Sequence, residues 1–92
     1  MKIDEINEQL GRDQVVAITR EELTSLLEKT ETDREDDTGI AGLIRTLHLG
    51  NYVLVQERSP EGVHFVRKLP SGKAAKRFVE ARLAAYERMW DG

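Results

Sequence analysis

With 92 residues, 39% apolar and 34% charged, the chain has the volume for one modest core and the composition of a soluble globular domain, well short of the disordered class and with nothing of a fibre or repeat. The absence of cysteine excludes disulfides, thiolate metal sites and thiol nucleophiles, and with no apolar leader or span the expected location is cytoplasmic. The net charge of −3 hides a division: residues 1–50 carry 6 Lys/Arg against 12 Asp/Glu, and residues 51–92 carry 8 against 5, so a basic half could face either the acidic half or a polyanion.

Ile3, Ile6 and Leu10 recur at helical spacing before Gly11, which predicts a short first helix with Asp4 and Glu5 in its first turn. QVVAI (14–18) is rich in β-branched residues and predicts a strand. In ITREEL, Thr19 and Glu22 have the spacing of a capping box, and Ile18 and Leu23 that of a hydrophobic staple. A helix is expected from Arg20 to about Thr30, burying Leu23, Leu26 and Leu27.

ETDREDDT (31–38) has five acids and no apolar residue, and reads as a solvated loop that lacks the ligand spacing of a calcium loop. GIAGLIRTLHLG (39–50) repeats apolar residues at 40, 43, 44 and 47 before Gly50-Asn51, which predicts a third helix over residues 39–48. Tyr52 to Leu69 reads as two strands around the turn Ser59-Pro60-Glu61-Gly62. A four-residue loop would set Val55 opposite Val66 and Glu57 opposite His64, with Tyr52, Leu54, Val63, Phe65 and Leu69 on the core face. A three-residue loop with a bulge would shift that register, and both remain open. From Ser71 onward, Ala75, Phe78, Val79, Leu83, Tyr86 and Trp90 form the apolar stripe of a long helix.

No catalytic set emerges. His48 and His64 lie on different elements, and the carboxylate pairs fall in a loop and a helix start. SGK at 71–73 lacks the upstream glycine of a phosphate loop, because position 67 is arginine. The expectation is a non-enzymatic protein without metal or cofactor.

The order α-β-α-α-β-β-α, with its hairpin and long C-terminal helix, resembles the winged-helix arrangement within the α+β class. The resemblance is topological and spans residues 1–92 as a single domain; the end at MWDG also fits a piece of a longer chain. It implies a recognition helix over 39–48, with Arg45 as its one guanine-reading side chain, and a wing over 58–67. Arg58, Arg67 and Lys68 of the hairpin, with Lys73, Lys76 and Arg77 of the next helix, would then grip phosphates. A different packing, with the C-terminal β-β-α unit as core under a helical cap, leaves the hairpin as a charged edge. Tyr86 and Trp90 are the candidate anchors for a protein partner or a second copy. The expected function is a small binding or regulatory protein, either a protein-binding or self-associating adaptor or a weakly sequence-selective nucleic-acid regulator. Neither a membrane nor a small-molecule ligand is implied.

Overall fold

A computed structural model describes residues 8, 10, 15–39 and 42–91. Its elements are β1 (Val15–Ile18), α1 (Arg20–Lys29), β2 (Glu31–Asp37), β3 (Leu43–Leu49), β4 (Tyr52–Arg58), β5 (His64–Leu69) and α2 (Gly72–Asp91). The five strands pair antiparallel in the order β1-β5-β4-β3-β2. Helix α1 therefore carries the chain from one edge of the sheet to the other, and β2 to β5 form a meander. The α+β class holds; the winged-helix arrangement does not, because the order is β-α-β-β-β-β-α and the segment expected to read a groove is a strand inside the sheet. The predicted first helix lies largely outside the described residues; Glu8 and Leu10 are helical, and Leu10 is buried.

Two helices cover opposite faces of the sheet. On one face Leu23 and Leu26 of α1 pack with Val16, Ile18, Leu47, Leu54 and Val66. On the other, Ala75, Val79 and Tyr86 of α2 pack with Ile44, Val53 and Val55. Each fully buried Leu or Val contributes roughly 1.5–3 kcal/mol relative to exposure, so the two faces together supply most of the driving force. Covering both faces removes the alternation of a half-exposed strand. In β3, Leu43 and Leu47 face α1 while Ile44 faces α2, and this two-sided burial produces the 43, 44, 47 spacing that imitates a helix.

Gly50 is a hairpin residue rather than a helix stop. Leu49 pairs with Tyr52, leaving Gly50-Asn51 as a two-residue connection with Gly50 at φ +58, a conformation that glycine enters without steric cost. The acidic stretch 31–38 is likewise not a loop. β2 pairs with β3 from Glu31↔His48 to Asp37↔Leu43, with a bulge between Thr32 and Arg34. Backbone pairing overrides the low strand propensity of acids here because an edge strand leaves them in water, where the like charges also discourage further strands from adding.

The capping box forms as read: Glu22 N donates to Thr19 Oγ1 at 3.1 Å and Thr19 N donates to Glu22 Oε1 at 2.8 Å. At the start of α2, Ser71 Oγ accepts from Ala74 N at 3.2 Å. The β4–β5 turn takes the shorter of its two forms. Ser59 N donates to Val63 O and Gly62, at φ +85, donates to Ser59 O, both at 2.9 Å. Val55 consequently sits opposite Arg67, Gln56 opposite Val66 and Glu57 opposite Phe65. The register with Val55 opposite Val66 is displaced by one residue, and the single core face is replaced by two: Leu54 belongs to the α1 side and Leu69 to the α2 side.

Candidate functional site

A groove of about 680 Å3 opens on the α1 face, between the first turns of α1 and the β4–β5 hairpin. One wall is apolar, with Leu23 and Leu27 of α1 and Leu43 of β3; Val63, 42% exposed, stands at the rim. The other wall carries three guanidiniums and an imidazole: Arg20 opens α1, Arg45 and Arg58 project from β3 and β4, and His64 begins β5.

Gln56 organises this wall. It lies in the middle of β4 and is wholly inaccessible to solvent, so its amide must be satisfied internally. Its Oε1 accepts from Arg45 Nη1 at 2.6 Å, and its Nε2 is 3.3 Å from His64 Nδ1. Because the arginine can only donate, the amide oxygen is assigned to it; the amide nitrogen then donates to Nδ1, which leaves the proton of neutral His64 on Nε2. Arg45 also bonds Glu35 of β2 through Nε. Arg58 Nη2 donates to Gly39 O at 3.0 Å and lies 3.7 Å from Asp37 Oδ1.

Burial, and after it the positive charges of Arg20, Arg45 and Arg58, hold His64 below the usual imidazole range. The ring is thus neutral at pH 7, first because it is partly buried and then because the groove is already positive. With Nδ1 occupied and Nε2 protonated, it offers a donor to a ligand rather than a base to a reaction. Thr24, a hydroxyl on the groove wall, donates its proton to Arg20 O at 3.1 Å. The arrangement suits binding of a group that is acidic at one end and aliphatic at the other.

Comparison of the chain with known protein families, curated proteins and solved structures finds no match.

The cations singled out in the sequence are distributed over both faces. Arg45 and Arg58 meet in the groove. Arg67 lies on the opposite face, its guanidinium 4.7 Å from the centre of the Phe78 ring. Lys68 is exposed on β5, and Lys73, Lys76 and Arg77 are exposed on α2. They therefore do not form one continuous strip for a phosphate backbone.

Tyr86 is a core residue. It is 7% exposed, and its hydroxyl donates to Glu57 Oε2 at 2.8 Å. Burial, and then the bond to the Glu57 carboxylate, push its hydroxyl up to about 12. The Trp90 side chain lies outside the described residues. Among the described residues no cluster of His, Asp and Glu could hold a metal ion, and no helix is long and apolar enough to cross a membrane.

Arg20 and Gln56 were not singled out in the sequence. Gln56 does carry a signal: a lone amide within the apolar run YVLVQ must find partners wherever that strand is buried on both faces.

Proposed function

We propose that the protein is a non-enzymatic protein-binding module, and that its α1-face groove receives an acidic, aliphatic segment of a partner protein. The observation that carries this reading is the convergence of Arg20, Arg45 and Arg58 on neutral His64, beside a wall of Leu23, Leu27 and Leu43. Arg20 has no carboxylate within ion-pair distance among the described residues. A partner carboxylate on Arg20 could also accept from His64 Nε2, and leucine-like side chains fit the opposite wall.

A duplex is less well served. Arg45 and Arg58 are engaged by Glu35 and Asp37, which leaves Arg20 as a single groove arginine for phosphate; Arg67, Lys73, Lys76 and Arg77 lie outside the groove, and the acids of β2 flank it. The test is titration of isotope-labelled protein with a short peptide alternating Glu and Leu, beside its Lys-Leu counterpart and a DNA duplex. Salt-sensitive shifts at His64, Val63 and Leu27 with the acidic peptide alone, weakened about tenfold or more by Arg20→Glu, are expected. Equal response to the basic peptide, preference for the duplex, or no response at low salt contradicts the reading.

A further inference from the structure

The opposite face holds a second, separate cavity of about 320 Å3, between the β1–β5–β4 side of the sheet and the second half of α2. Its polar lining is Glu57, Arg67, Arg82 and Tyr86, with Ser59 at the margin; Val15 and Phe65 supply an apolar end. Glu57, only 9% exposed, receives the Tyr86 hydroxyl on Oε2, and Arg82 Nε lies 3.2 Å from the same oxygen. That approach is close enough for an ion pair but is not aligned as a hydrogen bond, since Arg82 Nε is buried without a hydrogen-bond partner.

Arg67 Nε is also buried and without a hydrogen-bond partner. The two guanidiniums share one ring, at 4.7 Å and 5.2 Å from the centre of Phe78. Two like charges thus lie against one ring with Glu57 paired to only one of them, and each leaves its Nε without an acceptor, although the Arg82 side chain as a whole is 43% exposed. Among the described residues Arg67 has no carboxylate within ion-pair distance. The Ser59 hydroxyl, whose oxygen accepts from Val63 N at 3.2 Å, keeps its own proton to donate.

We infer that this cavity binds a small aliphatic monocarboxylate, its carboxylate on Arg67 and Arg82 and its hydrocarbon body against Val15 and Phe65. One added negative charge balances two arginines and one glutamate. A planar carboxylate matches the guanidinium fork, and the volume, at the small end of ligand pockets, suits a molecule of a few carbons. Glu57 is paired with Arg82 and accepts from the Tyr86 hydroxyl, so the charge of Arg67 is left to attract the ligand. This site is independent of the α1-face groove and stands or falls without it.

The probe is isovalerate, titrated into the intact chain by calorimetry and by amide shifts, with isovaleramide as its neutral twin. Saturable binding of the acid, with shifts at Val15, Phe65 and Arg67, and none of the amide is expected. Arg67→Met keeps the packing on Phe78 and should weaken binding about tenfold or more, whereas Arg77→Met, on the exposed side of α2, should leave it unchanged. Should Arg67→Met unfold, Arg67→Lys keeps the charge without the fork and should show a similar loss. Equal binding of acid and amide, no saturation at millimolar ligand, or retention of affinity by the folded Arg67 variant overturns the inference.

Discussion

The amide of Gln56, sealed from solvent in the centre of the sheet, accepts from Arg45 at 2.6 Å while its nitrogen lies 3.3 Å from His64 Nδ1. One buried side chain thereby fixes both the position of a guanidinium and the tautomer of an imidazole. Gln56→Leu should destabilise the fold by about 1–3 kcal/mol, because Arg45 and His64 each lose a partner in a partly buried site. Urea denaturation measures the loss, and nitrogen shifts of the ring should show the Nδ1–H form of His64 gaining population.

His64 also makes stability depend on pH. Its folded value lies below the ordinary 6.5, so within the window between the two values the unfolded chain binds more protons and stability rises with pH. The contribution is complete above about 6.5 and is lost as pH falls toward and through the folded value. Denaturation midpoints measured across this range should fall toward acid in the native chain, and less steeply in His64→Gln.

Tyr86 imposes the opposite limit. Its folded value of about 12 against an ordinary 10.0 gives a contribution that is complete below pH 10.0 and lost as pH rises toward about 12. Tyr86→Phe should remove that alkaline sensitivity and cost about 1–3 kcal/mol, since Glu57 keeps only Arg82. Ultraviolet titration of the phenol beside denaturation curves tests both statements.

The same tyrosine explains Gly42. A Cβ there would stand 2.9 Å from Tyr86 Cζ and 3.1 Å from Arg58 O, at a φ of +149 that L side chains avoid. Gly42→Ala should destabilise by more than about 1 kcal/mol, and Tyr86→Phe should not relieve it, because the clash is with the ring and the backbone rather than the hydroxyl. A double-mutant cycle decides this.

How much could be read in advance varied with how local the cause was. The Thr19–Glu22 box and the Ala75–Tyr86 stripe act within a few residues of chain, and both helices stand where they were expected. β2 and β3 depend on what lies across the sheet. Nothing within ETDREDD favours a strand until β3 offers it a ladder, and LIRTLHL imitates a helix because separate helices cover its two faces. The hairpin register turned on whether Ser59 pairs or loops, which the Ser59 N to Val63 O bond decides. Arg45 and Arg58 were singled out as cations for phosphate; the fold instead gives them Glu35 and Asp37, and brings His64 and Arg20 beside them.

The acids of β2 have a further consequence. Asp33, Glu35 and Asp37 are exposed on an edge strand, where like charges oppose pairing with a second copy. Asp33→Val with Asp37→Val should raise concentration-dependent self-association above the level of the native chain, measured by sedimentation of the two side by side; an unchanged sedimentation profile would contradict this role for the edge charges.

The central claim, that an acidic partner segment seats against His64, is tested most directly by the titration curve of that histidine, followed by its ring proton shifts with and without the Glu-Leu peptide. A carboxylate docked among Arg20, Arg45 and Arg58 should offset their charge and raise the lowered value of His64. A His64 curve identical in the presence and absence of saturating peptide contradicts the claim.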